Sequence, residues 1–296
     1  MEWLKSFCNS HAFPEEAVAA LLNAYQTLEG QPAACSLFVD TLEQYYNVSS
    51  GKGPQVGRQL AKVAEITGLH SYTVDLLYYI CLAEQLQEKY MQHGLSESLF
   101  FNTMEDLKYK LMECHQVYGV WGTFVSPWYA GFYDMARFQL GRLQFELIPF
   151  DGTYSGPGGD LQPTDTVINM HIPSCGPLTQ ESCLESYQMA AEFFADAFCN
   201  RPFAFFCYSW LLYPPHKVFL PPHSNILKFM EPFDIFDYRD GSTEDLWRIF
   251  GRMDCSDLSA LPTDTSLQRA YIGWLSAGNT AGSGRGVFFY RDGHIL

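Results

Sequence analysis

The sequence predicts a helical region over residues 1–119 followed by an α/β or α+β sheet region over residues 120–296. Three observations carry this. Apolar residues recur at three- and four-residue spacing through the first region. The period changes to two where Leu143, Phe145 and Leu147 alternate with Arg142, Gln144 and Glu146. Beyond that point strand-like and helix-like stretches alternate, as in a sheet covered by helices.

The first helix opens at Pro14, carries Val18, Leu21, Leu22, Tyr25 and Leu28 on one side, and stops at Gly30. Pro32 opens a second, with Leu37, Phe38, Leu42 and Tyr45. Val48–Pro54 reads as a Ser/Gly linker. A third helix covers about Gln55–Ile66 and breaks at Gly68. A fourth starts near Ser71, and a fifth runs from about Ser96 to His115. Period-two structure is expected from about Val120, with Gly141-Arg142 as the tight turn of a hairpin. Residues 151–165, rich in Gly, Pro and Asp, read as a loop. Thr166–Ile172 is a strand ended by Pro173, and Gln180–Phe198 a helix. Phe203–Leu212 is apolar enough to lie in the middle of a sheet. Asn225–Tyr238 reads as a strand interrupted by Pro232. Short helices follow near 243–251 and 265–277, then a last strand, Gly286–Tyr290.

Composition excludes several classes. Hydrophobic residues make up 47% of 296 and charged ones 17%, enough apolar material for a core. Eighteen Lys and Arg stand against 33 Asp and Glu, a net charge of −15. Such a surface repels phosphate backbones and anionic lipid, so neither nucleic acid nor membrane is an expected partner. Met1–Lys5 lacks the basic and apolar regions of a secretory signal, and no stretch is apolar enough to span a bilayer. Nine cysteines, an odd number at irregular spacing, read as reduced thiols of a cytoplasmic protein. With no CxxC, HExxH or paired Cys/His cluster, no metal is expected.

Leu60–Leu69 followed by Ser71–Leu77 mimics a helix-turn-helix. A groove-reading helix would start with Arg, Lys, Asn or Gln; this one starts with Ser71, Tyr72, Thr73 and Asp75.

The most informative stretch is Val167–Thr179. A strand runs into a small-residue loop, and a helix begins beyond it with Thr179 as a cap. Such a helix start presents backbone N–H groups and the positive end of a dipole, a setting suited to pyrophosphate. No G-x-G-x-x-G or Walker pattern is present. Residues 143–216 contain one basic side chain, Arg201, so backbone amides would carry the anion.

His171-Ile172-Pro173-Ser174-Cys175-Gly176-Pro177-Leu178-Thr179 resembles the signature loop of a bacterial family of acyltransferase-domain proteins. Leu140–Glu146, Cys207–Leu212, Leu220–Ile226, Leu267–Ala270 and Gly284–Gly286 match in order, so the resemblance spans nearly the whole chain. It implies an α+β fold: a helical N-terminal domain packed on a GNAT-like mixed α/β domain with a central, mostly antiparallel sheet. It also implies transfer of an acyl group from acetyl-CoA or another acyl-CoA to a small-molecule acceptor, an amine or similar nucleophile. The pyrophosphate is then expected on the amides of Ser174, Cys175, Gly176 and Leu178. Cys175 stands where glycine is expected, and the GNAT signature Arg/Gln-x-x-Gly-x-Gly/Ala is absent from residues 173–180. A non-catalytic module sensing acyl-CoA or another metabolite is the alternative.

Acyl transfer to an amine needs a base for the ammonium group and an acid for the leaving thiolate. His171, on a strand face with Asn169 and Val167, and Glu146, on a face with Arg142 and Gln144, are the candidate bases. Tyr208 and Ser209, on opposite faces of one strand, are the candidate acids. Arg285, in the Gly-rich segment Gly282–Gly286, is a further candidate for the cofactor's phosphates.

Overall fold

The computed structural model describes residues 1–47, 52–199 and 201–296. The chain forms two compact units, Met1–Ala136 and Arg137–Leu296.

The first unit is helical: α1 (Glu2–Ser10), α2 (Glu15–Glu29), α3 (Pro32–Gln44), a 3-10 turn (Tyr45–Asn47), α4 (Lys52–Thr67), α5 (Ser71–Gln92), α6 (Glu97–Met104), α7 (Asp106–Tyr118), a 3-10 turn (Ser126–Tyr129) and α8 (Ala130–Tyr133). The N-terminal α1 was not expected; Leu4, Phe7 and Cys8 bury one face of it. Helix α5 is buried on nearly all sides, with Leu76, Leu77, Tyr78, Tyr79 and Ile80 consecutive in the core. The expected fifth helix is two, α6 and α7, which meet at Glu105. Of the expected linker, residues 48–51 lie outside the described residues, while Lys52–Pro54 already belong to α4.

No strand occupies 120–136. The Thr123 amide donates to the Tyr72 carbonyl, Thr73 Oγ1 to the Trp121 carbonyl, and the Tyr133 hydroxyl to the Tyr79 carbonyl. These bonds tie the segment to α5, so the first unit ends at Ala136 rather than near residue 119.

The second unit contains β1 (Arg137–Leu140), β2 (Leu143–Pro149), β3 (Tyr154–Gly156), β4 (Gly159–Leu161), β5 (Thr166–His171), α9 (Gln180–Phe193), β6 (Phe203–Ser209), α10 (His216–Phe219), α11 (Asn225–Met230), β7 (Asp234–Asp240), α12 (Leu246–Phe250), α13 (Ser266–Ser276), β8 (Gly282–Arg291) and β9 (His294–Ile295). The main sheet has the order β1-β2-β5-β6-β8-β7, with β9 beside β8. Only β5 and β6 run parallel; the other neighbours are antiparallel. The apolar β6 lies centrally, as its composition predicts.

One sheet face meets α9, whose Tyr187 packs on Phe205 and Phe288, and Phe233, just before β7, packs on Phe288 as well. On the other face, Val167, Ala204, Phe206, Val287 and Phe289 form a core with Phe150, Tyr154 and Leu161. The β3–β4 hairpin supplying Tyr154 and Leu161 falls where a plain loop was expected. Asn225–Tyr238 is a helix and a strand. Ser224 caps α11 through its hydroxyl, Ile226, Phe229 and Met230 recur at helical spacing, and Pro232 separates α11 from β7.

Candidate active site

The site is built from the β1–β2 hairpin outward. Gly141-Arg142 forms the two-residue turn, which pairs Leu140 with Leu143 and therefore Arg137 with Glu146. Across β2 and β5, Glu146 pairs with Asn169 and Gln144 with His171. Two polar rows result on one face, Arg137–Glu146–Asn169 and Gln139–Gln144–His171.

Glu146 is the centre of this network. Arg137 Nη2 donates to both of its oxygens at 3.1 Å, and Asn169 Nδ2 donates to Oε1 at 3.1 Å. His171 Nε2 lies 2.6 Å from the same Oε1. Because that oxygen is a carboxylate acceptor, Nε2 carries a hydrogen and donates it. Burial alone would raise the Glu146 carboxyl. The His171 hydrogen bond and the Arg137 charge outweigh it and hold the group at about 2. Glu146 is thus ionised and a weak base; it orients and stabilises the imidazole. The expected same-strand partner, Arg142, is elsewhere: it belongs to the turn, where strand alternation no longer applies.

Arg142 holds the loop after β5. Its Nη1 donates to the Pro173 carbonyl at 2.9 Å, Nη2 to Gly176 at 3.0 Å and Nε to Pro177 at 3.2 Å. Its own amide donates to Ser186 Oγ of α9 at 2.8 Å. In a trans peptide the carbonyl and the next N–H point in opposite directions, and the described residues contain no cis bond. The Ser174 and Leu178 amides therefore point away from Arg142. Gly176 has φ +74°, a left-handed conformation that glycine adopts at little cost. Cys175 Sγ sits 3.5 Å from the Arg142 carbonyl, on the clamped side of the loop. Thr179 Oγ1 accepts from the Ser182 amide and caps α9 directly beyond.

The parallel strands β5 and β6 are paired only at Ile168–Phe205 and Asn169–Phe206. Past these pairs β5 continues against β2 and β6 against β8, so their C-terminal ends part. Asn169 and Phe206 share a face, so two residues on His171 and Tyr208 share it too. Tyr208 is half exposed. Ser209 turns to the opposite face, and its Oγ accepts from the Leu211 amide at 3.2 Å, capping a 3-10 turn.

Arg285 lies within β8 rather than in a flexible loop. It donates to the Asp151 carbonyl at 2.9 Å, sits 3.9 Å from an Asp237 oxygen and lies over the Phe206 and Phe236 rings. The glycines around it answer to packing: a Cβ at Gly284 would collide with the Leu212 carbonyl. No group of three or more His, Cys, Asp or Glu positioned to hold a metal occurs among the described residues. None of their helices is long and apolar enough to cross a membrane.

This sheet, with its one parallel pair parting at a strand–loop–helix junction, defines a GNAT-like domain. Residues 137–288 match the GNAT-like C-terminal domain family, and residues 2–135 match the N-acyltransferase N-terminal domain. The chain belongs to this two-domain acyltransferase family. Among solved structures, an acyltransferase in complex with decanoyl-CoA and teicoplanin is similar at 19% identity, with a TM-score of 0.74 over 97% of this chain and 87% of that one. An acyltransferase mutant in complex with octanoyl-CoA gives 19% and 0.75 over 98% and 88%. An acyltransferase in complex with CoA and 10C-teicoplanin gives 19% and 0.73 over 95% and 86%. At that identity the likeness is one of fold. No curated protein sequence matches the chain significantly.

Proposed function

We propose that the protein transfers an acyl group from an acyl-coenzyme A to a small-molecule amine. The observation that carries this reading is the Glu146–His171 pair beside the parting of β5 and β6, three residues before the Arg142-clamped loop. The amides of Ser174, Cys175, Gly176 and Leu178, with the start of α9, receive the pyrophosphate. The strand edges freed where β5 and β6 part offer hydrogen bonds to the amide-bearing arm of coenzyme A. His171 Nδ1 takes the proton that the amine loses as its nitrogen attacks the thioester carbonyl. Glu146 stabilises the imidazolium that forms. Tyr208, on the same face, protonates the departing thiolate; Ser209 is already engaged as a cap and faces away. Arg285 adds positive charge on the Tyr208 face. The solved acyltransferases of similar fold hold CoA, octanoyl-CoA or decanoyl-CoA, which supports the donor, and two hold teicoplanin or 10C-teicoplanin, which supports a small-molecule acceptor.

Free-thiol release tests the reading. Acetyl-CoA and octanoyl-CoA are mixed with the protein and a panel of primary amines. Amine-dependent release is the expected result. Saturable binding of the thioester without release would replace the enzyme with a non-catalytic acyl-CoA-binding module.

A further inference from the structure

The helical unit contains a cavity that the acyl-transfer reading does not use. It measures about 470 Å³, in the range of small-molecule sites. One wall is α5, where Ser71, Asp75 and Tyr79 follow each other at four-residue spacing and so share a helix face. The facing wall is α4, whose Gly57 and Ala61 leave room for a guest. Ser126, from the 3-10 turn before α8, closes one side and hydrogen-bonds both Asp75 and Tyr79.

The chemistry of this lining is unbalanced. It includes a carboxylate, two serine hydroxyls and two tyrosines, and none of the described residues that line it is basic. Burial raises the Asp75 carboxyl to about 6, and the Ser126 hydroxyl is the group that pulls it back. Glu146 in the other unit has Arg137 and His171; among the described residues no cation pairs with Asp75. A guest with a positive charge would supply it, while the buried Tyr79 ring, packed on Tyr78, Tyr129 and Tyr133, forms the floor of that wall.

We propose that this cavity is a binding site for a small organic ammonium compound with a compact apolar body, its charged nitrogen on Asp75 and its body against Gly57 and Ala61. The ammonium donates to the Asp75 carboxylate and the Ser126 oxygen. The α4 wall, lacking side chains beyond Cβ at these positions, accepts the apolar part.

Calorimetric titration of the full-length protein tests this with two probes of one shape, phenethylamine and phenethyl alcohol. The titration is run in mildly alkaline buffer, above the value of about 6 at which burial holds Asp75. The amine is expected to bind roughly ten- to a hundred-fold more tightly, the scale of a charge-assisted hydrogen bond. Asp75→Asn should bring the amine down to the level of the alcohol. Gly57→Leu should abolish both, because a Cβ at that position meets nothing within 4 Å and the larger side chain takes up space in the cavity that Gly57 lines. His171→Ala should leave amine binding unchanged. Equal affinity for amine and alcohol, absence of saturable amine binding, or an Asp75→Asn protein that binds like the parent would each overturn the proposal. Loss of amine binding in His171→Ala with retention in Asp75→Asn would do so as well, by moving the amine to the acyl-transfer site.

Discussion

Two carboxylates, one in each unit, show how surroundings set the character of a single functional group. Glu146 and Asp75 are both partly buried, and burial raises both. Around Glu146 the sheet register gathers a guanidinium, an amide and an imidazole, and the carboxyl falls to about 2. Around Asp75 the helices gather a serine hydroxyl and tyrosines, and it rises to about 6. The first is a fixed charge hydrogen-bonded to an imidazole. The second faces a cavity with no cation beside it among the described residues.

The largest break in this comparison comes from removing the imidazole that Glu146 holds, the base of the proposed reaction. His171→Ala should lower turnover by about 10²–10⁴-fold, the range for loss of a general base, while acyl-CoA affinity changes little. Steady-state thiol release beside direct titration of acyl-CoA separates the two effects. Tyr208→Phe should lower turnover less, by roughly ten-fold or more, as the thiolate then leaves unprotonated or takes its proton from water. Ser209→Ala should keep parental turnover and cost only about 0.5–1 kcal/mol of stability through its lost cap.

Binding effects come next. Arg142→Ala releases three carbonyls, and Gly176→Pro removes one amide and forces φ away from +74°. Each should weaken acyl-CoA binding by on the order of ten-fold. The thioester-saturated turnover of Arg142→Ala should stay near parental, because Arg142 positions the loop and touches no reacting atom.

On stability the two carboxylates should act with opposite sign. The Glu146 carboxyl drops from 4.5 unfolded to about 2 folded, so its stabilisation is complete above 4.5 and is lost as pH falls towards 2. The Asp75 carboxyl climbs from 3.8 to about 6, so the fold binds its proton more tightly than the unfolded chain does. Its ionisation destabilises above pH 6, and that penalty disappears as pH falls towards 3.8. Asp75→Asn should therefore stabilise the protein at neutral pH by at most about 3 kcal/mol. Glu146→Gln should destabilise it by less than about 3 kcal/mol, since solvent screens part of that network. Urea titrations at neutral pH and near pH 4 read both slopes.

Much of the sheet unit was legible in the sequence. Period-two alternation and Gly141 located the first hairpin, and the strand–loop–helix order located the loop after His171. The Arg137 partner of Glu146 was missed, although a signal existed: a two-residue turn at 141–142 pairs 140 with 143 and, three steps out, 137 with 146. The role of Arg142 had no such signal, because a turn residue's direction depends on what packs beside it. Helix α11 reads as strand in the sequence because six apolar-rich residues satisfy either period, and the Ser224 cap is the distinguishing mark. The Asp75 cavity joins α4, α5 and the turn at 126–129, segments whose juxtaposition no local pattern encodes.

The most direct measurement is a double-mutant cycle on turnover with His171→Ala, Glu146→Gln and the pair. If Glu146 acts through His171, Glu146→Gln lowers turnover in the parent but has little further effect once His171 is gone, since residues acting as a unit are strongly non-additive. Two single effects that simply multiply in the double variant, or near-parental turnover in His171→Ala, would contradict the account.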